Sequence, residues 1–67
     1  MNILLNGHIK QFNVDNMTVS LLVVALELTG KRIAIERNGD IVASSQFELV
    51  KVLEGDKFEI VGAVGGG

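Results

Sequence analysis

The sequence predicts an α+β fold: a mixed sheet of four to five strands with one main helix packed across it, followed by a glycine-rich tail. Three observations predict it. Asn-Gly occurs at Asn6-Gly7 and again at Asn38-Gly39, each time between short apolar runs. This dipeptide is the strongest short signal for a type I′ hairpin, because both central residues need positive φ. Helical apolar spacing appears in the stretch between those two turns. A helix joining the second strand to the third, in a chain of 67 residues, suits a small mixed sheet covered on one face.

The first hairpin is "MNILLNGHIKQFNV". With Leu5 and His8 flanking the turn, Ile3 falls opposite Lys10 and Met1 opposite Phe12. Side chains alternate between faces, so Met1, Ile3, Leu5, Phe12 and Val14 are assigned to the core, leaving Leu4 and Ile9 together on the other face. In "DNMTVSLLVVALELTGK", Thr18 is placed as the N-cap, its hydroxyl accepting from a first-turn amide. Val19, Leu22, Val23 and Leu26 follow helical spacing, and Gly30 is placed at the left-handed C′ position. Leu21, Val24 and Leu28 form a second apolar stripe, more than a lone helix on a small sheet buries.

A strand follows with Ile33 and Ile35 alternating; the Asn38-Gly39 turn then leads to a short strand at Ile41–Val42. "SSQFELVKVL" is open between a loop and a short helical turn, with Phe47 and Leu53 directed at the core. Gly55-Asp56 turns into a last strand, Phe58-Glu59-Ile60-Val61, and side chains thin out from Gly62 onwards. Residues 1–62 therefore form one domain and residues 63–67 a flexible tail.

Composition excludes several classes. A chain this short buries only roughly 60% of its unfolded surface, but 48% hydrophobic and 21% charged residues do not describe a disordered chain. Without cysteine, neither disulfides nor Cys-ligated metals are available. A net charge of −2 and a pI near 5.1 argue against nucleic acid as a partner. The longest apolar run, "LLVVAL", is far below the ~20 residues that span a bilayer, and no signal peptide is evident. A cytoplasmic domain without a membrane partner is the expectation. His8 follows a turn with no Ser, Cys or paired carboxylate at a motif spacing, which gives no catalytic constellation. Asp40, Glu48, Glu54, Asp56 and Glu59 show no metal-ligand pattern and read as solvating charges, Asp56 serving its turn. Neither "NGD" nor "EGD" is a phosphate loop.

The end of the chain, "GAVGGG", raises a different question, since glycine loses the most entropy on ordering. A bare terminal Gly-Gly-Gly is commonly an idle chain end. Here it follows "LEGDKFEIV", and before that "NGDIVASSQF". Taken together these stretches resemble the ThiS family of thiamine-biosynthesis sulfur carriers, ubiquitin-like proteins of the β-grasp fold, across nearly the whole chain. The pattern GD-x-x-EIV-x-x-V-x-GG is matched by Gly55, Asp56, Glu59, Ile60, Val61, Val64, Gly66 and Gly67. Where that family often has a proline and a basic residue after "IV", this chain has Ala43 and Ser44.

The resemblance implies a carrier with no active site or bound cofactor of its own. The Gly67 carboxylate would be adenylated by a ThiF-like partner that uses ATP. Sulfur from a cysteine desulfurase route would convert it to a thiocarboxylate, for donation to a ThiG-like thiazole synthase. Glycine at the tip suits such a role, because backbone without Cβ atoms can enter a narrow active site. Val64, Gly65 and Gly66 are the threading residues in this reading, and residues 62–67 fully extended reach at most about 20 Å. Ordering three glycines costs on the order of a few kcal/mol, so the domain body must also be held; Leu4, Ile9 and Phe58 are the candidate partner surface. Two alternatives stand beside this one. The small subunit of molybdopterin synthase shares fold and tail, but tends to be longer and to carry prolines before the tail, whereas this chain has none. The other is a ubiquitin-like binding module whose tail does nothing.

Overall fold

The structure is a computed structural model and describes residues 1–62. Its elements are β1 (Asn2–Leu5), β2 (His8–Gln11), α1 (Val19–Ala25), β3 (Ile33–Arg37), β4 (Asp40–Val42), a 3₁₀ turn (Ser44–Gln46) and β5 (Lys57–Gly62). The strands form one sheet in the order β2-β1-β5-β3-β4. β1 and β5 run parallel while the other neighbours are antiparallel. This is the expected mixed sheet, with five strands and the C-terminal strand at its centre.

Both hairpins turn at Asn-Gly. Asn6 and Asn38 take φ of 50° and 51°, followed by Gly7 and Gly39 at 83° and 92°, the positive pair a type I′ turn requires. The first hairpin has the expected register, with Ile3 opposite Lys10 and Leu4 opposite Ile9. Ile3 is buried, and Met1, Leu5 and Phe12 pack against the core. Val14 does not join them: β2 ends at Gln11, strand alternation stops there, and Val14 is exposed.

Thr18 caps α1 as expected, its Oγ1 accepting from the Leu21 amide at 3.2 Å. Met17 before the cap and Leu22 in the first turn are both buried in the core, at the positions of a hydrophobic staple. The helix stops earlier than Gly30. Glu27 adopts φ 58°, the Leu28 amide donates to the Val23 carbonyl and the Glu27 amide to the Val24 carbonyl. That pair of bonds is a Schellman ending with Glu27 at C′. It turns Leu28 onto the core beside Val23, while Leu21 and Val24 remain exposed.

The segment after β4 is a single 3₁₀ turn, from which Phe47 packs on the core as expected. Leu53 is exposed instead, and Val52 occupies the buried place. A bridge between Thr18 and Lys51 and a 2.8 Å bond from the Val52 amide to the Met17 carbonyl fix that phase. The core of Ile3, Met17, Val19, Leu22, Ile35, Val52, Phe58 and Ile60 thus lies between α1 and one face of the sheet.

Candidate functional site

The feature that positions any terminal chemistry is β5. It lies between β1 and β3, so both of its edges are used and its direction is fixed by neighbours on either side. Phe58 is fully buried and Ile60 nearly so, anchoring one side of the strand to the core. At its start, Asp56 closes the preceding turn by accepting from the Leu53 amide at 2.8 Å. It also accepts from Arg37 Nε at 2.8 Å and Asn38 Nδ2 at 3.1 Å. Burial pushes the Asp56 carboxyl up. The hydrogen bonds from Arg37, Leu53 and Asn38 and the Arg37 charge together outweigh it, holding the group below its ordinary value. Asp56 therefore serves its turn, as expected, and additionally ties that turn to the β3–β4 hairpin.

At the other end, β1 has already turned away when β5 reaches Ile60. The Asn6 side chain takes over there: Nδ2 donates to the Ile60 carbonyl at 3.0 Å and the Ile60 amide donates to Oδ1 at 2.8 Å. β5 is consequently held up to Gly62, which pairs with Ile33. The residues assigned to threading and modification, Val64, Gly65, Gly66 and Gly67, lie outside the described residues.

Of the three candidate surface residues, Leu4 and Ile9 lie side by side on the sheet face away from the helix, with Ile9 strongly exposed. Phe58 does not belong with them. Its side chain is 0% exposed and sits at the centre of the core. The alternation of "FEIV" carried that information, since placing Glu59 in water puts Phe58 and Ile60 inside. The same alternation puts Val61 outside, and the structure adds Val61 and Ile41 to the exposed apolar residues of the open face. Among the described residues no group of His, Cys, Asp and Glu is placed to hold a metal ion. No helix among them is long and apolar enough to cross a membrane.

Comparison with known proteins adds to this geometry. The model of the ThiS family matches residues 3–67. A thiazole synthase from Paramagnetospirillum magneticum is 40% identical over all 67 residues, and the chain spans only 20% of that protein's length. The sulfur carrier protein ThiS of Bacillus subtilis is 33% identical over 63 residues, 94% of this chain and 96% of that one. Among solved structures, a crystal structure of a thiamine biosynthesis protein (ThiS) from Geobacter metallireducens superposes with a TM-score of 0.88 at 28% identity, each chain covered completely. A solution structure of a Geobacter metallireducens thiamine biosynthesis protein gives 0.83 at the same 28% identity, covering 100% of this chain and 88% of that one. The five-stranded sheet with its single helix is the β-grasp of these structures, and the chain belongs to the ThiS family.

Proposed function

We propose that this chain is the sulfur carrier for thiazole formation in thiamine biosynthesis, and that its reactive group is the Gly67 carboxylate. The observation that carries this reading is the family match, which runs through residue 67 and so includes the glycine tail together with the domain. A thiazole synthase containing a stretch 40% identical to the entire chain supports a ThiG-like enzyme as the acceptor of the sulfur. The similarity to thiamine-biosynthesis proteins favours this pathway over that of the molybdenum cofactor.

The chemistry follows from what a carboxylate lacks. It is a poor electrophile because its oxygens are poor leaving groups. Attack of a Gly67 oxygen on the α-phosphorus of ATP, in a ThiF-like partner, expels pyrophosphate and leaves an acyl-adenylate. A persulfide supplied through a cysteine desulfurase route then adds through its terminal sulfur at the acyl carbon, and AMP departs. A second thiol of the sulfur-donating partner attacks the inner sulfur of the acyl disulfide, forming a disulfide and releasing the terminal sulfur on Gly67. The thiocarboxylate that remains is ionised at neutral pH and polarisable, the qualities that make a thiolate the reactive form of cysteine. In this scheme the chain is a co-substrate, ATP binds the partner, and the rigid β5 presents the tail to each active site in turn.

Incubation with ATP and a ThiF-like enzyme, followed by intact-protein mass measurement, tests the reading. Gain of AMP, or exchange of one oxygen for sulfur localised to Gly67, is the expected result; an unchanged mass overturns it. Rescue of a thiamine auxotroph, with no rescue of a molybdenum-cofactor auxotroph, is the expected genetic outcome.

A further inference from the structure

A groove of about 380 Å³ opens on the helix side of the sheet, where β5 ends. Leu26, Leu28, Ile33 and Ile60 form its apolar part. All four belong to the core or pack against it, so the groove is an outward continuation of the core between helix and sheet. The charged residues of its lining, Lys31 and Arg32, are both cations, and among the described residues neither makes an ion pair. Gly62 completes the lining. It lies two positions after the inward-facing Ile60, hence on the same side of β5, and a Cβ built there would meet nothing within 4 Å. Apolar surface and unmatched positive charge therefore meet in open space at the point where residues 63–67 leave the domain.

Resting on the carrier reading above, in which Gly67 bears a free carboxylate, we propose that this groove is the resting place of the chain's own tail between partners. Val64 covers Leu26 and Leu28, and the terminal carboxylate lies against Lys31 and Arg32. Continuing the alternation of β5 puts Val64 on the side of Ile60 and Gly62, which is the groove side. The tail's chemistry matches the lining: Val64 is its one large apolar side chain, and Ala63–Gly67 contain no charged side chain, so the end group meets the two cations without a competing charge. Its length matches as well. Arg32 immediately precedes Ile33, the partner of Gly62, so the cations stand close to the tail's origin. A tail running straight out would carry its end about 17 Å away. It reaches them by doubling back, and Gly65, Gly66 and Gly67 reverse direction without a Cβ clash. Exposed ion pairs are weak and the apolar contact is a single valine, so the resting form exchanges readily with the extended form that enters an enzyme. The groove thus withholds the end group from chance encounters while leaving it open to a partner that binds it more tightly.

NMR on the full chain tests the contact with no enzyme present. Cross-relaxation between the Val64 methyls and those of Leu26 or Leu28 is the expected result. The Gly67 amide and carboxylate signals should move towards free-peptide positions in Lys31→Gln/Arg32→Gln. They should move the same way in the wild type at about 1 M salt, where charges are screened beyond about 3 Å. Absence of the Val64 contacts overturns the proposal, as do Gly67 signals that neither the double variant nor salt displaces. Releasing the tail enlarges the fraction of chains ready to enter the adenylating enzyme, so the double variant should show a KM about two- to threefold lower at unchanged kcat. An unchanged KM overturns the proposal, and a raised KM does so by showing that the two cations serve the enzyme instead. A wild-type chain that gains no AMP defeats the carrier reading, and with it the groove's role as a rest for a reactive end. A wild type that is adenylated but lacks the Val64 contacts defeats the groove alone.

Discussion

Asn6 holds both backbone groups of Ile60 with its side-chain amide, donating to the carbonyl at 3.0 Å and accepting from the amide at 2.8 Å. A primary amide offers the same donor and acceptor as a peptide group. Asn6 therefore adds one more pairing step to β5 after β1 has turned away. It does so from a turn position with φ 50°, which asparagine tolerates better than most residues. The last strand before the tail is fixed by a side chain 54 residues earlier in the chain.

Replacing Asn6 separates these two roles. Asn6→Gly keeps the backbone conformation but deletes the amide, and should lower stability by about 1–2 kcal/mol. Asn6→Ala should cost more, because it adds strain at positive φ. Hydrogen exchange gives the local signature: the Ile60 amide should lose protection in both variants, while the Phe58 amide keeps its protection. Equal protection at Ile60 in variant and wild type would show that the side chain adds nothing to the strand.

Asp56 predicts a pH dependence. Its folded-state carboxyl is held below the ordinary value of 3.8, so the folded state favours the ionised form. The stability this contributes is fully present above pH 3.8 and is lost as the pH falls through the lower folded-state value. Asp56→Asn removes the charge opposite Arg37 and one acceptor oxygen, and should destabilise by about 2–3 kcal/mol at neutral pH. Below that window the gap between variant and wild type should narrow. Denaturant midpoints between pH 2 and pH 7 measure it, and a constant gap would contradict the assignment.

Much of this was legible in the sequence. The two Asn-Gly turns, the Thr18 cap and the first hairpin's register are local rules, and all four describe the structure. What was not legible depends on partners distant in sequence. Locally Asn6 reads as a turn residue, and nothing near it reveals that it also pairs with Ile60. Arg37 gives no sign of Asp56, which lies 19 residues away. Val52 rather than Leu53 is buried because pairing with Met17 and Thr18 sets the phase. Phe58 is a different case, since strand alternation alone places it inside. The end proposed to react is legible only as composition and family pattern.

The helix end offers a stabilising change. Glu27 occupies the left-handed C′ position at φ 58°, where a Cβ is disfavoured by about 1–2 kcal/mol. The Schellman bonds from Glu27 and Leu28 to Val24 and Val23 are backbone bonds and survive substitution. Glu27→Gly should therefore raise stability by about 1 kcal/mol, net of glycine's larger entropy loss. A lowered denaturant midpoint would mean that the Glu27 side chain makes a favourable contribution larger than the backbone strain.

The tail predictions depend on access rather than stability, because the core of the domain is assembled from residues between Ile3 and Ile60. Gly66→Val introduces a branched side chain one residue before the carbonyl proposed to react. It should leave the melting temperature nearly unchanged while cutting the rate of adenylation severely, since a narrow active site that admits bare backbone excludes two methyl groups. Adding one residue after Gly67 has a different effect: Gly67 then carries a peptide carbonyl instead of a carboxylate, and no thiocarboxylate can form there. The two variants separate steric from chemical requirements. Gly66→Val should recover partially at high enzyme concentration, whereas the extended chain should gain no AMP or sulfur at Gly67 under any condition. Intact-mass time courses read both outcomes. An extended chain that still supports thiazole formation without being trimmed would exclude the Gly67 carboxylate as the sulfur-bearing group.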